Sequence, residues 1–559
     1  MAPFAMATLG VRLLHALGSA QRAGPARAFA KAAEDPRAAQ LAKLADLLRR
    51  NGSAEYGRSF GLRPGMSAAE FARAAPLMTP ADLLPRVSRL MAGERGVLTQ
   101  DAPLYYVRTT GSTGEPKHVP ITKAYREEFQ LTVQVSLFHL RRRFPQAFSG
   151  RALYSVGSCR VAKAADGNDI GTMSGYNFTQ MPRPVRALYA WPYELFEVQD
   201  LKARTTLALL FAALGDPSIA VGIFPAPIVY LLRELEAQAG ALVRPLREGI
   251  LPADLALPAA QRASLQRLFH ADARAAKRLE RAAAAPVEEK AHEAWPSLRL
   301  VYCWTAASAA LYLPELARRL GPGVAVRDAV YSACEGWCSI PMGEAEAGGA
   351  LAVSSHYFEF IEEEAYARGS RDTVPGWELE QGRRYLIVFS NSSGVWRYLL
   401  GDIIEVCGRY LRTPVIRFVR KHGASANLAG EKLEEAHVNQ AVGGALSALH
   451  LEATFFSLAP DSGRATPGYA LHFEPPPGER LAPALLARLA VAVDEGLGKA
   501  SYDYGRLRAG GQLSQVRLQL LTPGSYDAFR QARVTGGSAE GQLKTAHLVS
   551  DATGLPVSR

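Results

Sequence analysis

The stretch Thr109-Thr110-Gly111-Ser112-Thr113-Gly114-Glu115-Pro116-Lys117 constrains this chain more than any other. It follows "PLYYVRTT" (103–110), where aromatic and β-branched residues predict a β-strand. It precedes a helix predicted from about residue 123, with an apolar stripe of Phe129, Val133, Leu137 and Leu140. Glycine lets such a loop turn its backbone N–H groups inward, the hydroxyls add further donors, and lysine adds a mobile positive charge. A loop of that kind between a strand and a helix cradles a polyanion. Only two residues separate Gly114 from Lys117, so the string is not the GxxxxGK[ST] loop of P-loop nucleotidases.

The rest of the chain bounds what that loop can belong to. At 559 residues, 48% apolar and 21% charged, it has the make-up of a globular protein with a large core and room for several domains. A net charge of +11 suits nucleic acid, a membrane surface or an anionic small substrate. No long basic block and no basic stretch interleaved with aromatics occurs, so nucleic acid is set aside. A nucleotide triphosphate accounts for the useful positive charge. Cys159, Cys303, Cys334, Cys338 and Cys407 are too few and too irregular for a secreted disulfide framework, and zinc-ligand spacing is missing. A reducing, cytoplasmic setting is expected. Residues 1–30 are basic and acid-free, but Arg12 and His15 interrupt the apolar run, which reads as an amphipathic first helix rather than a leader. No run approaches the roughly 18 apolar residues of a membrane span.

Along the chain, a helix is predicted over 33–50, ending at Asn51-Gly52, and helical structure over 255–293, ending at Trp295-Pro296. "LRLVYCW" (298–304), "ALAVSSHYFEFI" (350–361), "RRYLIVFSN" (383–391) and "IIEVCGRYL" (403–411) read as strands. The mixture predicts an α/β and α+β fold, with mixed β-sheets and helices in a large first domain. Beyond about residue 418 the texture changes to a small α+β unit. It holds a helix (434–446), strands "ATFFSLA" and "GYALHFE", a helix (481–497), a strand (515–521) and a short helix (525–533). The expected domains are therefore 1–418 and 419–559.

The loop resembles the [ST]-[SG]-G-[ST]-T-G-x-P-K phosphate loop of the adenylate-forming superfamily. "WPSLRLVYCWTAASAALYLPEL" (295–316), "YSACEGWCSIPMG" (331–343), "GVWRYLLGDIIEV" (394–406) and "NLAGEKLEEAHV" (427–438) resemble the Gretchen Hagen auxin-responsive family of acyl acid amido synthetases. The resemblance runs from the N-terminal helix to Lys544. It implies an adenylation domain followed by a mobile C-terminal domain, with ATP and Mg²⁺ as cofactors. The substrates it implies are a small carboxylic acid and an amine, such as an amino acid. Thr110, Gly111, Ser112, Thr113, Gly114 and Lys117 would hold the ATP phosphates. Tyr331 would lie against adenine, Asp402 would accept from the ribose hydroxyls, and Glu335 would hold Mg²⁺. Lys544, in "GQLKTAHL", would join Lys117 as a catalytic cation, presented to the reacting carboxylate and α-phosphate. The oligomeric state is left open.

The chain departs from the family pattern at three places. Ala306 and Ala307 replace glycines after the "CWT" strand, Cys334 replaces a serine before the motif glutamate, and Lys421, beside Arg420, stands where relatives carry arginine. "IGTMSGYNF" (170–178) and "VGIFPAPIVYLL" (221–232) are apolar and aromatic, as an acyl cleft or a packed core would be. An acyl-CoA ligase and a catalytically silent nucleotide-binding relative are the competing readings. Lys117 and Asp402 are both retained, against the silent one. A G-x-S-x-G hydrolase elbow is missing.

Overall fold

The computed structural model describes residues 8–108, 117–342, 348–422, 425, 426, 428, 431, 433–461, 466–511, 513–535, 545–549 and 555. Thr110, Gly111, Ser112, Thr113, Gly114 and Lys544 lie outside them, as does the side chain of Lys421. The chain forms two compact units, with the principal break between Val419 and Arg420.

The first unit opens with helices Thr8–Glu34 and Pro36–Asn51. The single helix expected over 33–50 is therefore divided. Pro36 has no N–H to continue the first helix, and the Asp35 carboxylate accepts from the Ala38 N–H at 3.0 Å to begin the second. Three sheets follow. One is wholly parallel, in the order Arg151–Tyr154, Pro217–Val221, Leu300–Cys303, Ala325–Asp328, and is covered by helices such as Leu201–Gly215 and Pro225–Gln238. Its inner strands Pro217–Val221 and Leu300–Cys303 are short, largely buried apolar runs, and the outer two are only partly buried. Another has eight strands, with Tyr331–Ala333 and Gly336–Ile340 at one edge and Tyr398–Tyr410 near its middle.

The remaining sheet, of four strands, carries the flanks of the Gly-rich loop. Tyr105–Arg108 pairs antiparallel with His118–Ile121, with Arg108 opposite His118. The loop thus joins two strands, and the helix Lys123–Arg143 begins only after the second; the direct strand-to-helix passage expected from the sequence is corrected. His118–Ile121 is an edge strand, which is why Pro120 is tolerated in it. Thr122 then starts the helix by accepting from the Tyr125 N–H at 3.2 Å.

Two other expectations are revised. "ALAVSSHYFEFI" is two strands, Gly349–Leu351 and Tyr357–Glu362, lying apart in the eight-stranded sheet. The serine pair makes the break: Ser355 Oγ donates to the Ala352 carbonyl at 2.8 Å, which closes a turn in place of a ladder bond. The region 255–293 is three helices, Ala259–Gln266, Ala273–Ala284 and Val287–Ala294, separated where Asp272 caps the second and Pro286 precedes the third.

In the second unit, helix Glu435–Leu449 packs on Pro483–Ala500. Strands Phe455–Asp461 and Gly468–Glu474 pair antiparallel, and Arg517–Leu520 joins the latter in parallel. A helix Tyr502–Ala509, with no strong apolar period to announce it, lies between them in sequence. Among the described residues no helix is long and apolar enough to cross a membrane.

Candidate functional site

Tyr331, Glu335 and Asp402 come together at the edge of the eight-stranded sheet of the first unit. Tyr331 begins the edge strand and is buried, and its hydroxyl donates to Asp402 Oδ2 at 2.7 Å. Burial first, and the Asp402 carboxylate second, push the phenol far above its usual range, so it stays a donor. Trp304 and Phe418 complete an aromatic group around it, with ring centroids 5.5 and 5.8 Å from Tyr331 and 5.6 Å from each other. The "CWT" segment contains Trp304 without marking it as a partner of Tyr331, and no motif marks Phe418; the three rings meet only through the fold.

Asp402 owes its direction to Gly401. The strand Tyr398–Tyr410 pairs Leu399 with Val388 but Ile403 with Leu386, so three residues (400–402) oppose the single Ile387. Gly401 has φ +77°, a conformation glycine adopts freely, and the resulting bulge re-aims the following carboxylate.

Glu335 sits in the turn between Tyr331–Ala333 and Gly336–Ile340, and every side of that turn is held. Tyr125 Oη donates to the Cys334 carbonyl at 2.8 Å, Asn391 Nδ2 to the Glu335 carbonyl at 2.7 Å, and Tyr398 Oη to Glu335 Oε1 at 3.1 Å. Burial, followed by Glu335, raises the Tyr398 phenol, which keeps it protonated and donating. Among the described residues Glu335 Oε2 takes no hydrogen bond. One hard carboxylate oxygen, left for a ligand, is the donor set that Mg²⁺ uses when substrate phosphates supply the others. No group of three or more metal-ligating side chains gathers among the described residues. Gly336 is required by packing, since a Cβ there would meet the Phe389 ring at 2.6 Å.

Lys117 lies directly before the edge strand His118–Ile121, at the end of the Gly-rich loop. Cys334 is half-buried, and its carbonyl is engaged by Tyr125. All five cysteines are free thiols. Elsewhere in the unit a cavity of about 70 Å³ lies between helices Leu201–Gly215 and Pro225–Gln238 and the parallel sheet. Ile223, Phe224 and Ile228 of the segment 221–232 line it, with Trp191 and Arg204. The other aromatic segment packs differently: Tyr176 stacks on Tyr105 at 4.3 Å beneath the Arg126 guanidinium, and Phe178 is core.

The same fold occurs in solved structures that share little sequence with this chain. It matches GH3.15 acyl acid amido synthetase with a TM-score of 0.82 at 20% identity, covering 94% of this chain and 93% of the other. More distantly, it matches 2-hydroxyisobutyryl-CoA ligase in its postadenylation state with a TM-score of 0.55 at 12% identity, covering 92% and 89%. The chain belongs to the GH3 family: the family's N-terminal, central and C-terminal domain models match residues 25–326, 349–421 and 436–553. Among its relatives is the probable indole-3-acetic acid-amido synthetase GH3.4 of Oryza sativa subsp. japonica, 26% identical over 90% of this chain and 85% of the relative. Another is the jasmonoyl–L-amino acid synthetase JAR4 of Nicotiana attenuata, 25% identical over 90% of each.

Proposed function

We propose that this enzyme joins a small carboxylic acid to an amine, with an acyl-adenylate as intermediate. The observation that carries the reading is the Tyr331–Asp402 hydrogen bond inside an aromatic group, one turn from Glu335. An aromatic face, a carboxylate able to accept from a cis-diol and a hard anionic oxygen are what a nucleotide with Mg²⁺ requires. The names of the sequence relatives, an indole-3-acetic acid-amido synthetase and a jasmonoyl–L-amino acid synthetase, support the amine as acceptor.

The chemistry follows from the charges. A carboxylate is a poor electrophile, so its oxygen first attacks the α-phosphorus of ATP and pyrophosphate departs. Negative charge accumulates on the α-phosphate, and fixed cations and donors lower that barrier. Thr110, Gly111, Ser112, Thr113, Gly114 and Lys117 hold the phosphates, and Tyr331 and Asp402 hold adenine and ribose. Glu335 holds Mg²⁺, which when bound neutralises phosphate charge. The amine nitrogen then attacks the acyl carbon, AMP leaves, and the nitrogen gives up its proton. The first unit is the adenylation domain and the second a mobile domain that presents Lys544. The apolar cavity lined by Ile223, Phe224 and Ile228 receives the hydrocarbon part of the acid. With its cysteines free, the enzyme works in a reducing, cytoplasmic compartment.

Pyrophosphate release over a panel of acids tests the reading, with amino acids or CoA added to intercept the adenylate. Amide formation is expected; exclusive thioester formation rejects the amine as acceptor, and failure of well-folded protein to bind ATP in calorimetry rejects adenylation. Lys117→Ala removes a charge-assisted contact to phosphate, so adenylation should slow by about tenfold or more with the fold intact. An unchanged rate removes Lys117 from the site.

Gly401→Ala probes Asp402. No atom lies within 4 Å of where a Cβ would stand, so the change costs backbone strain alone, about 1–2 kcal/mol. The expected result is a several-fold rise in KM for ATP with the KM of the acid unchanged. Equal rises in both would show that the bulge serves general stability.

A further inference from the structure

Behind the Glu335 turn lies a row of buried charge that the proposed chemistry does not use. Lys43, on helix Pro36–Asn51, pairs with Glu128 Oε1, on the helix Lys123–Arg143 that follows the phosphate loop. Glu128 Oε2 lies 3.3 Å from His356 Nδ1, at ion-pair distance but outside hydrogen-bond geometry. His356 Nε2 in turn accepts from the Trp337 N–H at 2.9 Å, two residues beyond Glu335. The imidazole is 0% exposed, and the Lys43 and Glu128 side chains are 12% and 7% exposed.

The tautomer of His356 follows from its neighbours. A backbone N–H can only donate, so Nε2 must carry the lone pair, and the ring proton sits on Nδ1, facing the carboxylate. The ring is clamped as well, parallel to Tyr125 with centroids 5.9 Å apart and stacked on Phe389 at 5.5 Å. Its own backbone is fixed from the same helix as Lys43. Gln40 Nε2 donates to the Val353 and His356 carbonyls, each at 2.7 Å, and Gln40 Oε1 accepts from the Phe358 N–H at 2.7 Å. Burial would raise the Glu128 carboxyl, but Lys43 and His356 outweigh it and hold the group below its usual range. Glu128 and Tyr125 are three residues apart on one helix face, so the helix grips the turn twice: Tyr125 at the Cys334 carbonyl, Glu128 through His356 at the Trp337 amide.

We propose that Glu128 and His356 are positioning residues that fix the turn carrying Glu335 relative to the helix behind the phosphate loop, and so set the direction of the carboxylate that receives Mg²⁺. A hydrophobic core would hold the turn's position equally well. The directional bond from the Trp337 N–H to an imidazole held beside the Glu128 carboxylate fixes the turn's register, which is the property that a metal-binding carboxylate needs. The inference rests on Glu335 being the Mg²⁺ residue.

The test compares His356→Leu, which loses the acceptor, with His356→Gln, which can place an oxygen where Nε2 lies. One readout is binding of a non-hydrolysable ATP analogue by calorimetry, with and without Mg²⁺; the other is amide exchange of the peptide containing Trp337. His356→Leu should weaken only the Mg²⁺-dependent binding, by about tenfold or more, and speed exchange at that peptide. His356→Gln should recover most of both. Should His356→Leu fail to fold, Lys43→Met with Glu128→Leu removes both charges together and should show the same loss of Mg²⁺-dependent binding. Wild-type Mg²⁺ dependence in whichever leucine variant folds, or no recovery with Gln, overturns the proposal. Glu335→Gln separates the two ideas. If it leaves Mg²⁺ dependence unchanged, the Glu335 assignment fails; if it abolishes that dependence while His356→Leu does not, only the positioning role fails.

Discussion

Arg397→Met is expected to lower the melting temperature of the first unit by roughly 3–6 °C, reflecting a loss of about 3–5 kcal/mol. The Arg397 and Glu359 side chains are 6% and 3% exposed, and Arg397 Nε lies 3.0 and 3.2 Å from the two Glu359 oxygens. The remaining guanidinium donors are also used. Nη1 reaches the Ala72 and Ala75 carbonyls at 2.6 and 2.7 Å, and Nη2 reaches Thr373 Oγ1 at 2.9 Å. Arg397 thereby satisfies the Ala72 and Ala75 carbonyls at the end of the helix Ala68–Ala74, where the Ala75 N–H already serves the Phe71 carbonyl. It does so from φ +42°, a conformation disfavoured for a side chain that large, and only a well-determined surrounding sustains it. Removing the guanidinium leaves Glu359 charged in the core and two carbonyls unmet. The double variant Arg397→Met with Glu359→Leu removes both charges, so it should regain a large part of the loss, though not all, because the helix carbonyls stay unsatisfied. Scanning calorimetry on the single and double variants decides. A double variant as unstable as the single one would show that the carbonyl contacts, and not the buried charge, carry the stability. The next residue, Tyr398, reaches Glu335, so the single variant should also lose adenylation before it unfolds.

The same segment shows what the sequence makes legible. "GVWRYLLGD" announces itself by similarity, and Asp402 within it is readable as an acceptor for a diol. That Arg397 is a buried cap and Tyr398 a donor to Glu335 is not readable, because the partners stand 325 and 63 residues away in the chain. Period and punctuation gave the helices that are amphipathic and the strands that are aromatic. They failed where a side chain competed with the backbone: Asp35 dividing a helix, Ser355 dividing a strand. His356 and Glu128 gave no signal at all. A lone histidine after two serines and a glutamate in a charged helix face look like surface residues, and only the fold places them behind the Glu335 turn. The departures from family pattern at Ala306 and Cys334 are buried and half-buried respectively. For Cys334 the structure supplies a use for the backbone carbonyl, which accepts from Tyr125.

Lys544→Ala should form acyl-adenylate about 10²–10³-fold more slowly while keeping its melting temperature and its affinity for ATP. Lys544 lies outside the described residues, but the chain immediately after it is anchored within the second unit. Tyr526 and Thr545 hydroxyls meet at 2.6 Å, and Ser457 Oγ donates to the Ala546 carbonyl at 2.8 Å. The His547 N–H donates to Glu435 Oε1 at 2.7 Å, and its Nδ1 bonds the Phe456 carbonyl at 2.9 Å. Burial lowers that imidazole to about 4, so it stays neutral there. None of these contacts needs the lysine side chain, which is why stability should survive its removal. In the sequence the lysine follows "GGSAEG" and directly precedes the anchored residues 545–547. An ammonium between the substrate carboxylate and the α-phosphate cancels their repulsion as the new bond forms. That interaction is strongest in the transition state, so kcat should fall and KM for ATP should not. Transfer from a supplied acyl-adenylate to the amine should proceed at the wild-type rate, because the charge on the α-phosphate has by then been resolved. Rapid-quench measurement of adenylate formation, set beside the transfer rate, checks both halves. Wild-type adenylation would remove Lys544 from the reaction; a collapsed melting temperature would make it a structural residue of the second unit; equal slowing of both half-reactions would place it in substrate binding instead.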